Sequence, residues 1–288
     1  MSLREIKQRI GSVKTTLKIT SAMKMVSAAK LHRAQSAIEG VRPYQRKLDS
    51  IFSAFATSLP HGYAFTAKRD VKRVAIVAVA SNSTMCGGFN SNVTKLMRSA
   101  VEEYKAAGVE LELFVVGKKI DEAVRKLGFI PNTSLLAQAG APQYAEAAKT
   151  AGILMERFCA GVIDRVELIY TTYVSASKQV PVREQFLPFD TMDVEGGDGD
   201  SIPVMDYIIE PGREELVDSL LPKVISLRLY TALLDSAAAE HAARMIAMQI
   251  ATENANDLIS ELTLEYNKGR QQEITSELQD IIAGSAGG

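Results

Sequence analysis

The sequence predicts an α/β domain inserted between two long helices that pair as an antiparallel coiled coil. Three observations carry this reading. Residues 223 to 283 contain no proline and a single glycine, Gly269. Residues 3 to 59 repeat apolar side chains every seven positions. Between them, short aliphatic runs alternate with amphipathic segments that stop at glycines.

The C-terminal stretch sets the scale. A helix over Lys223 to Ala283 would be roughly 90 Å long, against about 50 Å for the diameter of a compact globule of this chain length. It is therefore expected to project and to need a partner along its length. Its seam reads Leu234, His241, Met248, Ala255, Leu262 and, interleaved, Ala238, Met245, Thr252, Ile259, Tyr266, the spacing of a supercoiled pair. Seam residues this small and mixed make a poor self-zipper. Ile246, Ala247, Ile250, Leu258 and Leu264 are apolar yet lie off the seam, which implies more than one neighbour. After Gly269 the pattern slips by about one residue to Ile274, Leu278 and Ile281, ahead of a tail of Gly284, Ser285, Ala286, Gly287 and Gly288.

The N-terminal stretch supplies a partner. One heptad set is Leu3, Ile10, Leu17, Lys24, Leu31, Ile38, Gln45, Phe52 and the other Ile6, Val13, Thr20, Ser27, Ala34, Val41, Leu48, Phe55; twelve of the sixteen are apolar. The polar exceptions cluster at Thr20, Lys24 and Ser27, with Met23, Met25 and Val26 beside them. Gly40 and Pro43 should kink the helix without ending it, because the repeat stays in phase to Phe55. Pro60, His61 and Gly62 are expected to end it. Charge favours pairing the two ends: residues 1–50 hold eleven Lys or Arg against three acids, whereas residues 235–280 hold nine acids against three bases. Exposed ion pairs add little stability each, so charge selects the partner while the apolar seam holds it.

The middle of the chain reads as a Rossmann-like α/β unit. Strands are expected over Val71–Ala80, Val109–Val116, Val166–Val174 and Val180–Phe186, and helices over Ser91–Ala107, Lys118–Leu127 and Pro142–Ala160. Pro181 assigns the last strand to an edge, and Asp190–Ser201 reads as an exposed connector. The organisation expected is an N-terminal coiled-coil helix over 1–59, the α/β domain over 70–190, a connector over 191–209 and a C-terminal coiled-coil helix over 210–288.

Composition narrows the function. The chain has 288 residues, 47% of them hydrophobic, and a net charge of -1. The aliphatic run Val74–Ala80 is too short to cross a bilayer, the charged start is not a signal peptide, and the repeat beginning at Leu3 argues for a mature start; the reading is soluble and cytoplasmic. Cys86 and Cys159 have no metal-ligand spacing and read as free thiols. The loop Ser81–Asn92 with Gly87 and Gly88 occupies the ligand position of a doubly wound fold, but it lacks both a dinucleotide fingerprint and a phosphate loop. His32, His61 and His241 are too scattered for a triad or a metal site; His241 reads as a packed seam residue. The acids of Asp190–Asp200 lack calcium-loop spacing. Lys14, Lys18, Lys24, Lys30 and Arg33 would suit phosphate contacts, yet no aromatic residue stands between Met1 and Tyr44 for base stacking. No catalytic residue, cofactor or metal site is expected.

Both end helices carry a resemblance. Lys18-Ile19-Thr20 followed by Ala22-Met23-Lys24-Met25-Val26, and Ala242-Ala243-Arg244-Met245 through Tyr266-Asn267-Lys268, Arg270-Gln271, Ile274-Thr275 and Glu277-Leu278, resemble the γ subunits of F-type ATP synthases. Cys86-Gly87, Phe89-Asn90 and Glu210-Pro211 fit between them. The sequence departs from the family pattern at Ser81, Asn82, Ser83, Thr84 and Met85, where Ser-Asp-Arg/Lys-Gly-Leu is usual, and at Gly269, usually Ala. It also lacks the cysteine-bearing insertion of chloroplast relatives, so no thiol switch is expected. The resemblance implies a non-catalytic rotor shaft inside a hexamer of α and β subunits, an α/β domain against the ε subunit and the c-ring, and a place on the cytoplasmic face of a bacterial inner membrane, peripheral to it. It also implies contacts with the α/β hexamer at Met23, Lys24, Met25, Lys30 and Arg33, and at Gln271 and Thr275 near the tip. A static scaffold and a nucleic-acid-binding rod stay open as alternatives at this point.

Overall fold

The computed structural model describes residues 2–56, 65–67, 69–132, 135–189, 210 and 212–286. Pro60, His61 and Gly62, the connector 191–209 with its Asp190–Asp200 acids, and the terminal Gly287 and Gly288 lie outside the described residues. In chain order the elements are α1 (Leu3–Ala56), β1 (Arg73–Val79), α2 (Phe89–Ala106), β2 (Glu110–Val116), α3 (Lys118–Lys126), a 3-10 turn (Leu136–Gln138), α4 (Tyr144–Cys159), β3 (Arg165–Tyr173), β4 (Gln179–Leu187) and α5 (Arg213–Ala286). They divide into two compact units, 1–27 with 244–288 and 28–243.

Helix α5 starts at Arg213, ahead of the proline-free stretch that opens at Lys223, and runs through Pro222. The Ser226 hydroxyl donates to the Pro222 carbonyl at 2.7 Å. Burial of Val217 and Leu221 on one side of the proline, and of Val224 and Ile225 on the other, supplies packing that outweighs one missing helical bond. Helix α1 likewise continues through Pro43.

In the smaller unit the segments of α1 and α5 run antiparallel. Leu3 packs on Gly269, where an added Cβ would stand 2.9 Å from its Cδ2. Thr20 meets Thr252, their hydroxyls 2.9 Å apart. Seventeen residues forward on α1 thus correspond to seventeen back on α5, the pairing of an antiparallel coiled coil in constant register. The expected seam is the one that is covered: Ile6, Thr20, Ser27, Met248, Ala255 and Leu262 are buried and the intervening seam residues half-buried.

The larger unit is built on a four-stranded sheet of order β2-β1-β3-β4. Strands β2, β1 and β3 are parallel, with Val77 opposite Phe114 on one side and Leu168 on the other. Strand β4 returns antiparallel to β3, placing Tyr170 opposite Val182, and Pro181 does sit on that edge strand. Both faces of β1 are buried, which is why it reads as a continuous aliphatic run rather than an alternating one. Val74, Ile76 and Ala78 pack under α2 and α3 through Met97, Val101, Ile120 and Val124. Ala75, Val77 and Val79 face α4, α1 and α5 through Leu154, Phe158, Phe52, Ile225 and Leu229. The two terminal helices therefore form part of this domain's second layer as well as a pair.

Candidate functional site

On α1 the seam turns polar at Thr20, Lys24 and Ser27 for a packing reason. The Thr252 hydroxyl donates to the Thr20 hydroxyl at 2.9 Å, and Thr20 donates to the Leu17 carbonyl at 3.1 Å. Ser27 is 3% exposed, and Lys24 is half-buried, as suits a side chain with an apolar stem and a charged end. The Thr20 and Thr252 hydroxyls bond across the seam, and side chains this small bring the two helices close.

The outward side of the same turns is apolar. Ile19, Met25 and Val26 are 55%, 64% and 56% exposed, and Met23 is half-buried. Large apolar side chains exposed in consecutive turns of a helix, flanked by the exposed Lys18 and Lys14, form a surface suited to another protein. Lys30 and Arg33 are exposed further along α1, in the larger unit. On α5, Ile250 and Leu264, expected off the seam, stand 51% and 71% exposed.

Gln271 and Thr275 form a different patch. Both are exposed, one turn apart, and the Thr275 hydroxyl donates to the Gln271 carbonyl at 2.8 Å. They lie beyond Gly269, where Leu3 marks the start of α1. From residue 270 to residue 282 every side chain is exposed, and Ile274, Leu278, Ile281 and Ile282 are 46–67% exposed. The phase slip read in the sequence is the end of intrachain pairing. Along α5 the tip patch is about 30 Å from Thr252, the residue that faces Thr20, so the contact residues expected on this unit fall into two separate patches.

The loop after β1 is closed on itself. Asn90 accepts through Oδ1 from the Ser81 amide (3.1 Å) and hydroxyl (3.0 Å), and through Nδ2 it donates to the Ser83 carbonyl and the Cys86 sulfur, both at 3.2 Å. Asn82 donates to the Ala139 carbonyl (3.4 Å) and accepts from the Lys118 amide (3.1 Å). Gly117, with φ +100°, leaves only 2.1 Å between a would-be Cβ and the Ala80 carbonyl, so the ends of β1 and β2 abut where only glycine fits. Its polar side chains are spent on the loop itself and its neighbours. Cys86 is buried and Cys159 exposed, both free thiols, and burial pushes the Cys159 thiol up. His241 is 4% exposed, a packed seam residue. Among the described residues no group of three metal-ligating side chains comes together, and no helix is long and apolar enough to cross a membrane.

A polar network that sequence reading missed closes the far edge of the sheet. Glu167, 6% exposed, accepts from Tyr104 Oη (2.5 Å) and from Arg183 Nε (2.7 Å) and Nη2 (3.2 Å), while Arg183 Nη1 reaches Glu103 at 2.5 Å. Burial raises the Tyr104 pKa, and the bond to Glu167 adds to it; the Arg183 bond holds Glu103 below its ordinary value. The signal was Glu167 itself, a carboxylate set between the aliphatic Val166 and Leu168. Such a group needs a paired cation across the sheet.

Helices from both chain ends, paired with each other in one unit and layered on an inserted α/β sheet in the other, define a coiled-coil protein with exposed apolar and basic side chains on its helices. The family model described as ATP synthase matches residues 2–287. The ATP synthase gamma chain of Bacteroides fragilis (strain ATCC 25285) is 54% identical over 286 residues, covering 99% of each chain. That of Bacteroides thetaiotaomicron is 50% identical over 298 residues, again covering 99% of each. Among solved structures, the central stalk and c-ring of Tetrahymena thermophila mitochondrial ATP synthase aligns with 25% identity and a TM-score of 0.56, covering 81% of this chain and 99% of that one. The chain belongs to the family of ATP synthase gamma chains.

Proposed function

We propose that the chain is the non-catalytic rotor shaft of a proton-translocating F1Fo ATP synthase, coupling rotation of the membrane ring to ATP synthesis on the β subunits. Its partners are the α and β subunits, the ε subunit and the c-ring. It works peripherally to the membrane, at the cytoplasmic face of a bacterial inner membrane. The observation that carries the mechanical reading is the combination of a continuous covered seam with large apolar groups left on the outside of the same helices.

The physics needs no bond-making residue on this chain. An asymmetric rod in a roughly threefold cavity touches each β subunit differently, and each catalytic site is biased by the difference in contact energy between its states. Met23, Lys24 and Met25 serve as contacts to the hexamer where the seam turns polar, with Lys30 and Arg33 beyond them and Gln271 and Thr275 at the tip. Exposure of Met25, Lys30, Arg33, Gln271 and Thr275 supports this assignment. At the tip, a tail of Ile, Leu, Ala and Gly suits contacts that slide without deep energy wells.

The test is reconstitution. Added to its cognate α and β subunits, the chain raises steady-state ATP hydrolysis, and alone it neither binds nor turns over ATP. Retention of nucleic acid in a salt-sensitive manner, with no effect on the α and β subunits, would instead favour the static or nucleic-acid-binding rod.

A further inference from the structure

The edge of the sheet where a doubly wound fold binds its ligand is occupied here by the chain's own helices. Three segments meet at the C-terminal ends of the parallel strands: the loop from Ala80 to Gly88 after β1, the segment around Ala139 and Gly140, and the end of β3 at Tyr173. Cys86 and Phe89, 1% and 5% exposed, form an apolar cluster with Ala239 of α5, and Tyr173 and Ala243 pack on it. Gln35 of α1 donates to the Tyr173 hydroxyl at 2.9 Å. On another side, Glu240 Oε2 stands 4.0 Å from the position a Cβ on Gly140 would take.

The helix is shaped for this grip. From Ser236 to Ala242 every residue of α5 is buried, Glu240 and His241 included. A surface helix of a globular domain normally keeps one face in water; this one is enclosed all round for about two turns. Alanine at 237, 238, 239, 242 and 243 lets the neighbouring segments approach its backbone. The gripping loop is stiff: Asn90 ties Ser81, Ser83 and Cys86 together, Asn82 ties it to Ala139 and Lys118, and Met85 and Gly87 hold left-handed φ values of 65° and 56°. The twelve residues Ser81–Asn92 carry no charge, consistent with packing on a helix rather than holding a phosphate.

We propose that this collar is the torque-transmitting contact between the α/β domain and the helices, with Phe89 and Ala239 as positioning residues for coupling. The proposal rests on the shaft reading above and says where in the chain the load passes. A handle that flexes at the collar twists against the helices under load, and the rotor then loses its grip on its partners before a step is complete. Hydrolysis then continues while ion movement per ATP falls. The collar is thus a positioning element.

The experiment uses the complete complex in vesicles, with ATP hydrolysis and ATP-driven acidification, followed by a pH-sensitive dye, measured on one preparation. Phe89→Ala removes the plug, Ala239→Leu overpacks its seat, and Val124→Ala, in the core on the other face of the sheet, serves as a control matched by thermal midpoint. The expected result is a several-fold fall in acidification per ATP for the two collar variants and none for Val124→Ala. If Phe89→Ala does not fold, Phe89→Leu tests the same contact with a smaller loss of volume. A fall in all variants in proportion to lost stability would overturn the proposal, and so would unchanged coupling in the collar variants. A wild-type chain that assembles with no α and β subunits would contradict the shaft reading itself, whereas a coupled wild type beside unaffected collar variants would sink the collar alone.

Discussion

The two units differ in how they use side chains. In the larger one, both faces of the sheet are closed by fully buried aliphatic and aromatic groups, and polar groups such as Glu167 are bound two or three times over. In the smaller one, a seam of Ile6, Thr20, Ser27, Met248, Ala255 and Leu262 holds two helices, while Ile19, Met25, Val26, Ile250 and Leu264 stay outside. A core of the first kind makes a rigid body whose shape is set from within. A seam of the second kind is marginal alone and leaves apolar surface to be covered from without. The difference assigns rigidity to the inserted domain and recognition to the helix pair.

The largest effect is expected where the domain's core is emptied. Phe52, fully buried and edge-on to Phe189 with centroids 5.6 Å apart, should cost about 3–5 kcal/mol as Phe52→Ala, read as a lost denaturant midpoint. A loss under about 1 kcal/mol would mean that α1 is not integral to the domain's second layer.

Next comes the buried network. Glu167→Gln leaves the Arg183 guanidinium without its strongest partner, and a penalty of about 2–4 kcal/mol is expected, reduced from the fully buried case because Arg183 keeps Glu103 and some solvent. Glu103→Gln, on the exposed side, should change stability by less than about 1 kcal/mol. Equal effects would remove the distinction between inner and outer carboxylate.

A pH dependence follows from Asp235, half-buried on α5. Burial pushes its carboxyl up to about 6, against the opposing pull of Arg42. Because the folded pKa lies above the unfolded one, the contribution to stability is fully present below the unfolded value of 3.8 and is lost as pH rises through about 6. Asp235→Asn should flatten that window by about 2 kcal/mol. A variant with an unchanged stability profile between pH 4 and 6 would place the titration elsewhere.

The smallest effects belong to the helix pair. Thr252→Val removes one hydroxyl contact to Thr20 and should cost about 1 kcal/mol or less. Met25→Ala should leave the isolated chain within about 0.5 kcal/mol of wild type while lowering the ATP hydrolysis of the assembled complex. A large loss of stability in the free chain would show Met25 to be a core residue and not a contact surface.

The sequence-legible features were those with a period. A repeat of seven over α1 and α5 marked the seam down to the half-buried Lys24, and the aliphatic runs bounded by Gly108, Gly117 and Gly128 marked β1, β2 and their helices within two residues. Within the C-terminal helix expected over 210–288, passage through Pro222 had no sequence signal, because proline removes a helical bond and burial of Val217 and Leu221 compensates for it. The collar was hidden because it joins Gln35, Phe89, Tyr173 and Ala239, positions far apart in sequence with no shared pattern. The small residues Ser236–Ala239 and Ala242–Ala243, on either side of Glu240 and His241, were its one local trace. The exposed patches at Met25 and Ile274 were visible only as apolar residues out of phase, and a sequence does not say whether such residues meet a partner or water.

Rotation is the central claim, and a covalent tie tests it most directly. In a Cys159→Ser background, Met25→Cys on the exposed side of α1 is paired with a cysteine on the facing β subunit, so that oxidation joins shaft and hexamer by one disulfide of about 2 Å between sulfurs. Multi-site ATP turnover should stop on oxidation and return on reduction, because the tie cannot be carried past the next subunit and the catalytic sites can no longer exchange states. The background without Met25→Cys should respond to neither treatment, Cys86 being buried. Full turnover in a complex shown to be cross-linked would contradict the account and leave the chain a fixed core around which catalysis proceeds.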